Sequence, residues 1–134
     1  MIVVDANILA YCWIPGNRTP LAKAVLKKDA DWRVPLLWRS ECLSILAGYI
    51  RSEHLTFDQS LFVIKSLERW LRGKEHRSNT ETVLKLIRHS RCSAYDCEYV
   101  AVANDLSASL VSEDQALQDT FPGIALSMET FASR

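Results

Sequence analysis

Met1-Ile2-Val3-Val4-Asp5-Ala6-Asn7-Ile8-Leu9-Ala10-Tyr11 opens the chain, and its reading decides the fold class. Ile2-Val3-Val4 is a β-branched run apolar on both faces, as a strand buried on both sides of a parallel sheet would be. Asp5 and Asn7 punctuate it, and the apolar residues then resume at helical spacing, so strand gives way to helix at once and Asp5 or Asn7 satisfies the first free N–H groups. An acidic residue at such a junction lies where open α/β sheets place their ligands.

The same alternation continues. The loop WIPGNRT leads to a helix starting at Thr19-Pro20 and ending near Asp29, with Pro in the first turn, where its missing N–H costs nothing. Trp32, Val34 and Leu36 alternate as a short strand interrupted by Pro35, and a helical pattern begins at Ser40-Glu41. Thr56 to Arg72 reads as the longest helical segment, with Thr56 and Gln59 forming a capping box and Gly73 as stop. GKEHRSN is a polar loop before a helix starting at Asn79 or Thr80. Ser93 caps a helix running to Asn104, Leu110-Val111-Ser112 is a strand, Asp114 to Asp119 a short helix and Ile124 to Ser127 a last strand. Strands alternating with helices predict a three-layer α/β/α arrangement around a mostly parallel central sheet.

Length and composition fit one domain over residues 1–134 with enough chain to bury a core. An apolar fraction of 49% and 16 basic against 16 acidic residues describe a folded protein rather than a disordered tail. That balance argues against a general nucleic-acid coat, yet it leaves nucleic acid open as a substrate, because a metal neutralises its own acids. No apolar stretch reaches membrane-spanning length and no basic leader precedes the first strand, so the expected location is cytoplasmic, with no membrane partner. Cys12, Cys42, Cys92 and Cys97 form no CxxC pair and read as reduced thiols; Cys92, Cys97 and His89 do not match a usual zinc spacing.

Asp5, Glu41, Asp96 and Asp114 carry the chemistry. Asp5 and Asp114 follow the β-branched runs, while Glu41 and Asp96 lie in helical patterns. Singly, each aspartate reads as a helix cap or a solvated charge. If the four converge, any pair about 4 Å apart at an effective dielectric near 20 repels by roughly 4 kcal/mol, so the group requires protons or a hard cation. Oxygen-only ligation suits Mg²⁺ or Mn²⁺, with waters left in place for a substrate phosphate to displace.

These residues resemble the PIN-domain family, in particular the VapC-like ribonuclease toxins of type II toxin–antitoxin pairs. The match is carried by MIVVDANILAY, by the Glu of SECLSIL, and by SAYDCEYVAVANDLSASLVSEDQAL followed by FPG. The resemblance implies a single PIN-like nuclease domain whose acidic pocket is built from Asp5, Glu41, Asp96 and Asp114. Asp5, Asp96 and Asp114 would be the Mg²⁺ or Mn²⁺ ligands and Glu41 the residue that positions or deprotonates water. Asn7 and Ser112 match polar positions beside the pocket, with a helix cap and a backbone hydrogen bond as their alternative roles. Ser107 stands where the family commonly has Gly, and Ser112 where it commonly has Thr.

The implied reaction is metal-assisted hydrolysis of RNA, leaving a 5′-phosphate and a 3′-hydroxyl. An antitoxin protein and a homodimer are the implied partners, and the crowded apolar residues between Phe57 and Leu71 offer a surface for them. Arg77, Arg88 and Arg91 would form a basic rim holding the RNA backbone, or simply solvated helix ends. His54, His76 and His89 lie in polar or helix-terminal contexts and read as non-catalytic. Three rival readings stand beside this one. A housekeeping PIN nuclease of RNA processing shares every motif; a non-catalytic metal-binding interaction module would keep the fold without hydrolysis; and an aspartyl-phosphate enzyme would want a second Asp two residues after Asp5, where Asn7 stands.

Overall fold

Ile2 and Val4 point to one side of the sheet and Val3 to the other, and this alternation builds the molecule. The computed structural model describes residues 1–134. Strand β1 (Ile2–Val4) is central, flanked by β2 (Trp32–Pro35) and β4 (Ser109–Val111), with β3 (Glu75–His76) and β5 (Ala125–Leu126) at the edges. The order is β3-β2-β1-β4-β5 and every pairing is parallel, with Ile2 opposite both Trp32 and Ser109. The sheet is thus wholly parallel where the sequence predicted mostly parallel.

Ile2 and Val4 join the larger core with residues of α1 (Ala6–Trp13), α2 (Thr19–Lys28), α3 (Trp38–Arg51), α4 (Phe57–Trp70) and α8 (Met128–Ala132). Val3 instead packs with Leu110 and Ala125 against Tyr99, Val100, Val102 and Ala103 of α6 (Ala94–Asp105) and Leu117 of α7 (Gln115–Thr120). Helix α5 (Thr80–Arg88) lies against α6 and contributes only part-buried residues such as Leu86. At about 1.5–3 kcal/mol per fully buried large aliphatic side chain, the two faces of β1 hold the three layers together. Beside β2, Trp13, Trp32 and Trp70 meet at ring separations of 4.9 to 6.2 Å.

Local signals account for most boundaries. Asp5, Thr56, Asn79, Ser93, Asp114 and Ser127 each cap a helix through the side chain, and Thr56 with Gln59 forms the complete capping box. Asp5, rather than Asn7, takes the first cap; Asn7 is exposed in the first turn of α1.

Elsewhere the structure corrects the reading. The GKEHRSN stretch contains β3, an edge strand of two polar residues with no apolar alternation to announce it. Helix α3 starts at Trp38, so β2 ends at Pro35 and Leu36, expected inside the strand, is 54% exposed in the turn between them. Ser112 lies just past β4, and a final helix, α8, follows β5. Ser107 holds a left-handed φ of 50° in the turn between α6 and β4, which explains why Gly suits that position. All four cysteines are free thiols.

Candidate active site

Parallel pairing of β1 with β4 brings two chain exits side by side, since Val4 is opposite Val111 and the Asp5 N–H donates to the Val111 carbonyl at 3.4 Å. Asp5 leaves the end of β1 as the cap of α1, its Oδ1 accepting from the Ile8 N–H at 3.1 Å. Asp114 follows β4 as the cap of α7, its Oδ1 accepting from the Leu117 N–H at 3.2 Å. Capping therefore does not compete with a role in the site: it engages one oxygen of each carboxylate and leaves the other uncommitted to the helix. Glu41 and Asp96 come from the first turns of α3 and α6.

All four carboxylates line one cavity of about 680 Å³, together with Asn7 and with Ser40, Tyr95 and Tyr99 among others. No Lys, Arg or His lines it, and none of the four acids takes part in an ion pair. The electrostatic consequence is proton retention. Asp5 keeps some residue surface exposed, yet its carboxyl group is enclosed, and burial pushes its pKa up to about 6. The Ser112 hydroxyl and the Ile8 N–H act against that rise, while the charges of Glu41 and Asp96 add to it. Glu41 is raised by burial above all, with the Tyr99 hydroxyl opposing and Asp96 and Glu98 reinforcing the shift. Asp96 is raised by burial and then by the charge of Asp114. Cys42, next in sequence to Glu41, is a buried thiol pushed up to about 12 by burial and by the neighbouring acids, so it is a packing residue rather than a nucleophile.

Ser112 is wholly buried. Its Oγ accepts from the Asp114 N–H at 3.1 Å, and its hydroxyl lies by Asp5. Ser112 thus makes the backbone hydrogen bond that was the alternative reading for it, and it does not itself line the cavity.

The donor set fits a hard divalent cation: four carboxylates, a side-chain amide and hydroxyls, with the acids uncompensated by any cation of the chain. The acids share a cavity without three of them already meeting at one point.

Arg77, Arg88 and Arg91 do not line the cavity; all three are exposed and outside the ion pairs of the chain. His54, His76 and His89 also lie outside it, their rings placed by Ser52, Arg33 and Arg88 respectively. Tyr99 lines the cavity although nothing in the sequence analysis singles it out. It is 2% exposed, and its hydroxyl has no well-formed hydrogen bond although it sits close enough to Glu41 for each to perturb the other. Its position three residues after Asp96, on the same face of a helix, was the available signal.

No protein-family model matches the chain. It is 25% identical over 128 residues to the ribonuclease VapC3 of Pyrobaculum aerophilum, a likeness that covers 92% of this chain and 96% of the relative. Among solved structures it is similar to PAE2754 from P. aerophilum, with a TM-score of 0.78 at 20% identity over 99% of this chain and 94% of the other. FitAcB from Neisseria gonorrhoeae gives a TM-score of 0.75 at 13% identity over 96% and 99% of the two chains. At those identities the structures speak for the fold, and the curated relative adds the sequence. Together with the motifs they bear out the resemblance drawn from the residues alone: in sequence the chain resembles a VapC ribonuclease, and in fold it is PIN-like.

Proposed function

We propose that residues 1–134 act as one nuclease domain, a divalent-metal-dependent endoribonuclease that hydrolyses RNA phosphodiester bonds as the toxin of a toxin–antitoxin pair. The observation that carries this reading is the gathering of Asp5, Glu41, Asp96 and Asp114, from four separate elements, around one cavity without a cation of the chain to balance them. The likeness to a ribonuclease supports the choice of RNA as substrate.

Asp5, Asp96 and Asp114 would hold Mg²⁺ or Mn²⁺, which when bound polarises a phosphodiester and lowers the pKa of water. The chain supplies the positioning. Asp5 and Asp114 are fixed by their caps and by Ser112. Glu41, on α3, would orient the attacking water and take its proton, and its raised pKa brings it closer to neutral pH as a base. Asn7, exposed beside Asp5, is available to the substrate. Arg77, Arg88 and Arg91 would act outside the cavity, on the more distant RNA backbone.

A homodimer and an antitoxin complex are part of the proposal. Phe57 and Phe62 are 71% and 74% exposed on α4, apolar side chains available to a partner. No helix is long and apolar enough to cross a membrane.

The test is cleavage of labelled transfer and ribosomal RNA fragments in Mg²⁺ or Mn²⁺. Asp5→Asn and Asp96→Asn are expected to lower the rate by at least about 100-fold, and EDTA to abolish it. Metal binding with no hydrolysis of any fragment would instead establish the non-catalytic module, and phospho-aspartate trapped at Asp5 would establish the phosphatase-like alternative.

A further inference from the structure

A second, shallower groove of about 330 Å³ lies next to the acidic cavity along α3, and Ile45 lines both. Glu41, Ile45, Gly48 and Ser52 recur at three- and four-residue intervals, so they form one continuous stripe along the helix. Gly48 lies about 10 Å along the axis from Glu41, a distance matching two or three stacked nucleotides at about 3.4 Å each. The far end of the groove is aromatic. Tyr49 and His54 are set edge to face at 6.4 Å, and the His54 Nδ1 is paired with the Ser52 hydroxyl at 2.7 Å, which fixes the ring.

The turn that closes α3 places the two rings together. The His54 and Leu55 N–H groups both donate to the Tyr49 carbonyl, and the turn between Ser52 and His54 is made by Glu53 at a φ of 62°, a left-handed conformation in a residue that is not glycine. Such a turn is costly by about 1–2 kcal/mol, and the structure retains it. Gly48 leaves the floor open, since a side chain placed there would meet nothing within 4 Å. No Lys or Arg lines the groove, so its chemistry suits a flat heteroaromatic ring rather than a phosphate.

We infer that this groove is a nucleobase subsite, in which a base of single-stranded RNA a few nucleotides from the scissile phosphate stacks on the exposed His54 ring, which Tyr49 supports at a right angle. The inference rests on the nuclease reading for its substrate and extends it to how the strand is gripped. Stacking on aromatic rings is tolerant of sequence and is worth a substantial loss of affinity per base when removed. RNA binding is therefore divided along α3, with acids at one end and rings at the other.

The experiment measures fluorescence anisotropy of a labelled single-stranded RNA and of its abasic ribose-phosphate counterpart, in Mg²⁺, on the full chain carrying Asp96→Asn. Gly48→Leu fills the groove from a helical position that has room for it, and His54→Ala removes the exposed ring while leaving the core untouched. RNA affinity is expected to fall roughly 5- to 100-fold with Gly48→Leu and about 5-fold or more with His54→Ala, with abasic binding unmoved by either. Gly48→Ala, which only improves the helix, reports any effect of folding. RNA affinity unchanged within about twofold in both variants, or equal losses for the RNA and the abasic strand, would overturn the subsite. Parallel cleavage by the chain with Asp96 intact separates the two claims: groove-dependent binding without cleavage keeps the subsite and removes the nuclease reading, whereas cleavage indifferent to Gly48→Leu and His54→Ala at low RNA concentration does the reverse.

Discussion

Asp5 has two demands on one carboxyl group, a cap for α1 and a place in the acidic cavity. Burial raises its pKa from 3.8 to about 6, so the folded state holds its proton more tightly than the unfolded chain. The corresponding stability is fully present below about pH 4, declines as pH rises, and is gone above about pH 6, a difference of roughly 3 kcal/mol without metal. Asp5→Asn keeps a good capping side chain and removes the titration. Urea unfolding in EDTA at acidic and neutral pH is expected to show the native chain losing stability across this interval and the variant losing much less; parallel pH profiles would contradict the assignment. The four acids stood out in the sequence only as a set, because an acid at a helix start is ordinary capping chemistry, as Asp58, Glu81 and Glu129 show elsewhere in the chain. Tyr99 did not stand out, because a buried aromatic at helical spacing looks the same whether its hydroxyl meets protein or cavity.

At the scale of elements, capping chemistry carried the sequence reading. Thr56, Asn79 and Ser93 marked their helices within a residue, because a side-chain acceptor at a helix start has a fixed offset from the N–H it satisfies. Strand β3 and helix α8 escaped notice: two polar residues have no period, and a five-residue helix presents barely one turn. Ser107 shows that a departure from a family pattern has a physical address. Its φ of 50° strains an L side chain, so Ser107→Gly is expected to raise stability by roughly 0.5–1 kcal/mol, net of the added freedom of the unfolded chain. Chemical denaturation decides the matter, and a loss of stability would show that the serine side chain holds the turn.

For the whole molecule, the order of the strands was the least legible feature, since alternation of strand and helix gives the class of sheet but not which strands are neighbours. The outward residues of α4 also became distinct only in three dimensions: Val63, Ile64 and Leu67 are buried, while Phe57 and Phe62 face out. Sedimentation at micromolar concentration is expected to show dimers that Phe57→Asp and Phe62→Asp weaken by tenfold or more; monomers throughout would remove the homodimer from the proposal. The central place of β1 has another consequence. Its neighbour β2 follows within some thirty residues, but Ile2 meets Ser109 only after more than a hundred have been joined. Half of the acidic cavity is therefore synthesised long before the other half, and a ribosome-bound chain displaying only residues 1–105 is expected to leave RNA uncut, whereas one displaying all of residues 1–134 cuts it. Under the proposed nuclease reading, the emerging polypeptide would be unable to cut RNA until the seam at which the sheet closes has left the ribosome.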